Sequence, residues 1–144
     1  MILTKRIIEQ FNCVVVVIGL DGAGRDAQKI IDHVGPERCI DFTNQTSFND
    51  LFDLLNMADL LITADGGPGH FAALTSIKSI VFFGPETPVL YAPLGKNVSC
   101  LFAGFACSPC LSAYNHRKTS CTDPKCMKAI SVDSAFEIVS ASLG

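Results

Sequence analysis

A short segment near the middle of the chain holds the residues best suited to binding a charged, hydroxyl-rich ligand. An apolar run ends at residue 64, and Asp65 follows it, with three glycines in the next four positions and then His70. The Asp65 carboxylate can accept hydrogen bonds from sugar hydroxyls, and His70 can donate one to a phosphate oxygen. Glycines let backbone N–H groups approach a diphosphate where a helix begins. A plain strand-to-helix turn, with Asp65 as a cap and His70 as a packed side chain, explains the same residues.

A second glycine-rich turn favours a different ligand, a dinucleotide. Gly22 and Gly24 follow an apolar run and fit the pattern G-x-G-x-x-A, which ends at Ala27. Asp41 stands about 20 residues further on, where such sites place the acid that binds a ribose. However, Leu20 and one further residue separate the run from Gly22, which loosens the tight turn that this site needs. The dinucleotide site is therefore an alternative to the first site.

Four of the seven cysteines have a spacing compatible with a zinc or iron–sulfur site, namely Cys107, Cys110, Cys121 and Cys126. Two residues separate the first pair, as in a metal-binding knuckle, and four residues separate the second pair. Reduced thiols in a loop, some buried as small hydrophobic side chains, account for the same residues. We therefore expect no metal and no cofactor, and these four thiols are the candidate ligands if zinc is bound.

The elements that would position these residues alternate between strand and helix. Apolar runs predict strands at 13–19, 39–42, 60–63, 79–83 and 98–102. Helical spacing and capping residues predict helices at 5–11, at 25–34, after a cap at Thr46 or Ser47, at 70–76 and at 131–143. The cysteines lie in a loop at about 103–128. This order predicts an α/β fold, a Rossmann-like parallel sheet with helices on both faces, in a single domain over 1–144.

Composition limits the classes of protein to which the chain can belong. Hydrophobic residues make up 49% and charged residues 17%, which is typical of a parallel sheet covered on both faces. A net charge of −3, without a cluster of Lys and Arg, argues against a nucleic-acid partner. No apolar stretch reaches the about 18 residues that a transmembrane helix needs. Seven cysteines, an odd number, without a credible secretory signal predict reduced thiols and a cytoplasmic location.

Several segments, in the right order, resemble the motifs of one enzyme family. Residues 65–73, DGGPGHFAA, are similar to the D-[ST]-G-x-x-H-x-A-A signature of family-9 glycosyltransferases, the bacterial lipopolysaccharide heptosyltransferases. Residues 82–95, FFGPETPVLYAPLG, are similar to the family's FGP-x-x-P-x-x-x-x-P-x-G segment. Residues 43–65 resemble its T-x-x-T-S-L-x-E-L stretch, and CSPC and CMKAIS resemble its cysteine-containing end. The resemblance covers nearly the whole chain.

The resemblance implies one half of a GT-B fold, in which two Rossmann-like domains face each other across a cleft. This chain would be the donor-binding, carboxyl-terminal domain, with residues 1–12 starting at the helix after that domain's first strand. It would bind a nucleotide sugar such as ADP-heptose for lipopolysaccharide or related glycan synthesis. Asp65 would hold the sugar, Gly66 and Gly67 would face the diphosphate with His70 beside them, and Asp26 would be a further acid at the site. The family inverts the anomeric carbon and needs no metal for the diphosphate.

This chain differs from the family pattern at two residues, and one domain of the family has no counterpart in it. Gly66 stands where the family has Ser or Thr, so a hydroxyl that could bind the ligand is absent. The acid of the FGP segment is Glu86, one residue earlier than in relatives. The general base of relatives belongs to an acceptor-binding domain with no counterpart here, so we expect no catalytic residue in this chain. It would transfer a sugar only with a separate acceptor-binding domain or as a homo-oligomer; a non-catalytic remnant or interaction module of the same fold is the alternative.

Overall fold

The computed structural model describes residues 1–20, 22–116 and 118–144, in which helices alternate with strands. The strands are β1 (Val15–Val17), β2 (Cys39–Asp41), β3 (Leu60–Ala64), β4 (Lys78–Phe83) and β5 (Val98–Phe102). The helices are α1 (Ile2–Phe11), α2 (Gly24–Val34), α3 (Phe48–Met57), α4 (Gly67–Ala72), α5 (Pro88–Tyr91), α6 (Lys125–Lys128) and α7 (Val132–Leu143). The strand pairs β1–β2, β3–β4 and β4–β5 are all parallel, which confirms the predicted α/β class.

The chain divides into two compact units, Met1–Asp53 and Leu54–Gly144. The first unit contains a two-stranded sheet made of β1 and β2. The second unit contains a three-stranded sheet in the order β3–β4–β5, with β4 in the middle. The single domain over residues 1–144 stays a prediction.

The core of the second unit is built around β4. Alternate side chains of a strand point to opposite faces of its sheet. Val81 and Phe83 on one face and Ile80 on the other are each at most 1% exposed. Since β4 has a neighbouring strand on each side and cover on both faces, its apolar run is continuous, as in parallel sheets generally.

The strand β1 is shorter and more exposed than the apolar run at 13–19 predicts. Its ladder with β2 has three residue pairs, from Val15–Cys39 to Val17–Asp41, because β2 itself is only three residues long. Val16 is 39% exposed and its partner Ile40 is 42% exposed. The prediction of a buried strand at 13–19 is therefore wrong, because one face of this small sheet is open to solvent.

Two short helices of the second unit differ from the prediction. The helix predicted at 70–76 begins at Gly67 and ends at Ala72. It starts early because Gly66 is its N-cap residue and proline is well tolerated in the first helical turn, where Pro68 lies. The helix α5 was not predicted, and it begins where the Thr87 hydroxyl accepts a hydrogen bond from the Val89 N–H at 3.3 Å.

Serine caps begin two longer helices, and one of them, Ser47, was predicted as a cap. Ser47 Oγ accepts a hydrogen bond from the Asp50 N–H at 3.2 Å, and the Ser47 N–H donates to Asp50 Oδ2 at 2.8 Å. Ser131 Oγ accepts from the Ser134 N–H at 3.0 Å and begins α7. Each side chain satisfies a backbone donor that the helix leaves unpaired, which confirms Ser47 as the cap of α3.

The longest described helix is α7, with 12 residues. At about 1.5 Å per residue it measures about 18 Å, whereas the hydrocarbon core of a bilayer is about 30 Å thick. Within the described ranges, no helix combines the length and the apolar character that crossing a membrane requires.

Candidate functional site

The predicted donor loop lies at the carboxyl end of β3, beside the end of β4. Ala64 pairs with Phe82, and the Asp65 N–H donates to the Phe82 carbonyl at 3.0 Å. The pairing of the two strands therefore extends one residue past β3 and fixes the backbone of Asp65. Ligands of doubly wound sheets bind at this edge, outside the carboxyl ends of the strands.

Asp65 and His70 do not take the places that a plain turn would give them. Gly66 is the N-cap of α4, and no side chain of the described residues caps this helix through a hydrogen bond, so Asp65 is not the cap. Asp65 is half-buried, and His70 is exposed rather than packed. Gly67 and His70 are three residues apart on α4 and therefore share one side of it. These positions leave the carboxylate and the imidazole available to a ligand.

Gly66 has room for a side chain. Its backbone is extended, with φ 165° and ψ −175°, a conformation that other residues also adopt. A Cβ at this position would approach only the Ala64 carbonyl oxygen, at 4.0 Å. The Ser or Thr that the family carries here would therefore fit this backbone.

Gly69 is a close-packed position of the turn. It is buried, and a Cβ there would lie 3.3 Å from Pro93 Cγ, 3.4 Å from Val81 Cγ2 and 3.5 Å from Thr63 Cγ2. The missing side chain lets α4 lie directly on β3 and β4. Packing against β3 and β4 is therefore a sufficient reason for a glycine at this position.

The charge of Asp65 affects the pKa of the Cys100 thiol on β5. Burial raises the pKa of Cys100, and the nearby Asp65 carboxylate raises it further. Both effects disfavour the thiolate, because a second negative charge beside Asp65 would repel it. The raised pKa therefore favours the neutral thiol of Cys100.

Glu86 is a carboxylate that the sequence does not reveal as part of this edge. It lies three residues beyond β4 and is 5% exposed. The cysteine-containing loop is tied to the same segment, since the Cys110 N–H donates to the Pro85 carbonyl at 2.8 Å and the Ser108 hydroxyl donates to the Gly84 carbonyl. Glutamate is usually exposed, so residue type gives no signal of this burial. The sequence drew attention to Glu86 only because it stands one residue earlier than the acid of the family's FGP segment.

Asp26 belongs to the other unit and is exposed in the first turn of α2. Its Oδ1 accepts a hydrogen bond from Lys29 Nζ at 2.7 Å. This hydrogen bond and the positive charge of Lys29 lower the pKa of Asp26. Asp26 is therefore an ionised carboxylate at the start of a helix, whereas Asp65, Gly66, Gly67 and His70 come together in the second unit.

Asp41, the acid of the alternative dinucleotide site, accepts a local hydrogen bond. Asp41 ends β2, and its Oδ1 accepts a hydrogen bond from the Thr43 N–H at 2.8 Å. Gly22 has φ 96°, which favours glycine, and α2 begins two residues later. The backbone arrangement fits a glycine-rich turn, but the local hydrogen bond of Asp41 competes with a ribose and weakens this interpretation.

The structure does not bring the four candidate metal ligands together. Cys126 is buried in α6 and packs close to Gly84, where an added Cβ would lie 3.3 Å from its Sγ. In contrast, Cys107 and Cys121 are exposed. In the described ranges, which contain all seven cysteines, no group of three or more His, Cys, Asp or Glu side chains is placed to hold a metal. The zinc alternative therefore finds no support in the arrangement of these residues.

Comparison with known proteins gives the same family as the motifs. Residues 3–120 match the model of glycosyltransferase family 9 (heptosyltransferase). Two curated relatives, each named lipooligosaccharide heptosyltransferase 2, come from Campylobacter jejuni subsp. jejuni serotypes O:2 and O:6. Each is 28% identical over 95 residues, which is 65% of this chain, and the chain spans 28% and 29% of their lengths.

Two solved structures share the fold. The E. coli ADP-heptose lps heptosyltransferase II superposes with a TM-score of 0.78 at 17% identity, over 98% of this chain and 39% of that one. The glycosyl transferase family 9 protein from Veillonella parvula superposes with a TM-score of 0.76 at 18% identity, over 97% of this chain and 39% of that one. These neighbours are GT-B glycosyltransferases, so the Rossmann-like half of a GT-B fold is confirmed. Since the family model matches residues 3–120 of 144, the chain belongs to glycosyltransferase family 9, the heptosyltransferase family.

Proposed function

We propose that this chain is the donor-binding half of a family-9 glycosyltransferase and that it binds a nucleotide sugar of the ADP-heptose class. The observation that carries the proposal is the turn between β3 and α4. It joins a half-buried carboxylate, an exposed glycine at the start of a helix and an exposed histidine at the carboxyl edge of a parallel sheet. The E. coli neighbour, whose name includes ADP-heptose, has this fold.

Each residue of the turn contacts a different part of the donor. The Asp65 carboxylate accepts hydrogen bonds from sugar hydroxyls. The backbone N–H groups of Gly66 and Gly67 bind the diphosphate, and His70 donates a hydrogen bond to one of its oxygens. Asp26, in the first unit, remains the further candidate acid that the family resemblance implies. A hydroxyl of the acceptor then attacks the anomeric carbon with inversion while the nucleoside diphosphate leaves.

The acceptor hydroxyl and the base that deprotonates it come from elsewhere. The chain spans 39% of each solved neighbour, and we assign it no catalytic residue. A separate acceptor-binding domain or a second subunit completes the enzyme, which acts in the bacterial cytoplasm in the synthesis of lipopolysaccharide or a related glycan.

Calorimetric titration with ADP, ADP-heptose and a UDP-sugar tests this proposal. We expect saturable binding of both ADP ligands, with ADP-heptose the tighter of the two. In Asp65→Ala, which loses the sugar contact, we expect ADP-heptose to bind no more tightly than ADP. In His70→Ala, which loses a phosphate contact, we expect both ligands to bind more weakly. Asp59→Ala, an exposed acid directly before β3, and His33→Ala, an exposed histidine of α2, are matched controls that leave binding unchanged.

Two results would contradict the proposal. If folded protein at high concentration gives no heat with any nucleotide, the turn is a structural relic and the chain is a non-catalytic remnant of the family. If NADH binds while ADP-heptose does not, the glycine-rich turn at Gly22 and the acid Asp41 form the ligand site instead.

A further inference from the structure

The turn that is proposed to bind the donor has a carboxylate but no lysine or arginine. Residues 65–76 contain Asp65 and His70 and no Lys or Arg. A diphosphate is an anion, and hydrogen bonds from cationic side chains are among the strongest contacts that a protein makes with phosphate oxygens. A diphosphate beside the charge of Asp65 therefore needs positive charge from another segment at this edge of the sheet.

Two lysines of the second unit lie at the opposite edge. The Lys and Arg residues of this unit are Lys78, Lys96, Arg117, Lys118, Lys125 and Lys128. Lys78 is the first residue of β4, and Lys96 stands two residues before β5. Because the strands of this sheet are parallel, their amino ends share the edge that lies away from the donor turn. Lys78 also has a partner there, since its Nζ donates to the Ser142 carbonyl at 2.5 Å.

The other cationic residues belong to the cysteine-containing loop, which starts at the edge of the donor turn. The loop follows β5, whose last residue, Phe102, pairs with Phe83 at the end of β4. The Pro85 carbonyl then accepts hydrogen bonds from the N–H groups of Cys110 at 2.8 Å and Leu111 at 2.9 Å. The first part of the loop is therefore held at the carboxyl end of β4.

The far end of the loop returns to the same point. A Cβ at Gly84 would lie 3.3 Å from Cys126 Sγ and 2.7 Å from Met127 Cγ, so α6 packs directly on Gly84. Gly84 stands two residues after Phe82, a span of at most about 7 Å. The Phe82 carbonyl accepts the hydrogen bond from the Asp65 N–H. Both ends of the loop are therefore held close to the donor turn.

Two lysines of this loop are available to a ligand. Lys128 Nζ lies 2.6 Å from Asp123 Oδ1, so these two charges offset each other. Lys118 and Lys125 are exposed, and within the described ranges no ion pair joins either of them to an acidic side chain. Arg117 lies outside the described residues. Surface loops whose ends lie close together are frequently functional.

We propose that Lys118 and Lys125 bind the diphosphate of the nucleotide sugar and offset its negative charge. The inference rests on the proposed function, because it takes the diphosphate to lie at Gly66 and Gly67. The loop brings to the donor turn the positive charge that the turn itself lacks. Since both lysines are exposed, salt screens their contact with the diphosphate. They act on ADP and ADP-heptose alike, because neither contacts the sugar.

Calorimetric titration at low and high salt, with ADP and with adenosine, tests the inference. Replacing Lys118 and Lys125 together by Gln weakens ADP binding about three- to twentyfold at low salt, because each exposed charge contributes up to about fivefold. The same variant binds adenosine as the wild type does, and its ADP affinity depends less on salt. Replacing both lysines by Arg keeps the ADP affinity. Lys96→Gln, which removes an exposed lysine at the opposite edge, is the matched control and changes nothing.

Three outcomes would overturn the inference. The first is equal ADP affinity in the wild type and the double Gln variant. The second is an equal loss for ADP and adenosine, which would indicate a structural defect and not a lost phosphate contact. The third is a loss for a hexose phosphate without a loss for ADP, which would assign the lysines to an anionic acceptor.

Inorganic pyrophosphate separates this inference from the proposed function. If the wild type binds pyrophosphate but not ADP-heptose, and the double Gln variant loses pyrophosphate, the lysines form a diphosphate site and the proposed function alone fails. If ADP-heptose binds equally to the wild type and to the double Gln variant, the inference alone fails. If the folded wild type binds neither ADP nor pyrophosphate, both fail.

Discussion

The two sheets of this molecule are built from similar apolar runs but differ in what covers them. In the sheet β3–β4–β5, Ile80 on one face of β4 and Val81 and Phe83 on the other are at most 1% exposed. In the sheet β1–β2, Val16 and Ile40 are exposed although they are as apolar as Val81 and Ile80. Within the described part of the chain, β1 and β2 each have one partner strand, whereas β4 has two. An apolar run therefore predicts a strand, and the neighbours of that strand decide how deeply it is buried.

The two candidate acids, Asp65 and Asp26, also differ in how firmly the surrounding structure holds them. The backbone of Asp65 is held by the β3–β4 ladder, through its N–H bond to Phe82. Asp26 lies on an exposed helical turn and is held by one hydrogen bond from Lys29. A rigid scaffold lowers the cost of ordering a binding group, so the unit with the buried sheet should contribute more to donor affinity.

The largest expected effect compares a buried side chain of β4 with a partly exposed side chain of β1. Phe83→Ala leaves a cavity in the fully buried core and should lower the free energy of unfolding by about 3–5 kcal/mol. Val16→Ala removes a side chain that is already partly in water and should cost about 1 kcal/mol or less. Chemical denaturation with a global fit of both variants measures the difference. Equal losses for the two variants would contradict the contrast between the sheets.

A second prediction compares the two acids in binding. Asp65→Ala should weaken ADP-heptose binding about ten- to a hundredfold, because a hydrogen bond to a charged group is worth about 1.5–3 kcal/mol. Asp26→Ala should weaken it about threefold or less, because its carboxylate is solvated and shared with Lys29. Dissociation constants from calorimetry, with circular dichroism to verify folding, decide the order. A greater loss with Asp26→Ala would reverse the assignment of the principal acid.

A third prediction restores the hydroxyl that the family carries after the aspartate. Gly66→Ser should tighten ADP-heptose binding about two- to tenfold, since one added hydrogen bond contributes about 0.5–1.5 kcal/mol. The extended backbone and the open space at Gly66 accommodate the side chain. Gly66→Ala is the matched control, because it restricts the backbone without adding a hydroxyl. An equal gain with both variants would show that the backbone and not the hydroxyl is responsible.

The smallest expected effect concerns the ionisation of Asp26. Its pKa is lowered by Lys29, so its carboxylate should titrate below the usual range of aspartate in an NMR pH titration. A lowered pKa stabilises the folded state above the pKa of the unfolded chain, and this contribution is lost as the pH falls through the folded value. Lys29→Gln should return the titration midpoint to the ordinary range. An unchanged midpoint in that variant would mean that Lys29 does not hold Asp26.

Local signals explain why much of the fold could be predicted from the sequence. The strand predicted at 98–102 is β5, and Ser47 and Ser131 begin α3 and α7, because apolar runs and capping residues act over a few positions. The length of β1 could not be predicted, since it depends on the three residues that β2 offers as partners. The helix α5 is too short to show helical spacing in the sequence.

The candidate site was predictable only where its residues are contiguous. Asp65, Gly66, Gly67 and His70 follow one strand end, so their closeness is a property of the sequence itself. The role of Gly69 was not predictable, because Pro93 and Val81 approach it from distant positions in the chain. The burial of Glu86 was not predictable for the same kind of reason, since it depends on tertiary packing and not on its neighbours in sequence.

The most direct test of the account is a titration of ¹⁵N-labelled chain with ADP-heptose, followed by the backbone amide signals in NMR spectra. We predict saturable shifts of the Gly66, Gly67 and His70 signals, because the proposed diphosphate site consists of the N–H groups at the start of α4 and the His70 side chain. Shifts confined to the turn at Gly22 and to Asp41, or no shifts at the highest ligand concentration, would contradict the assignment of the donor site.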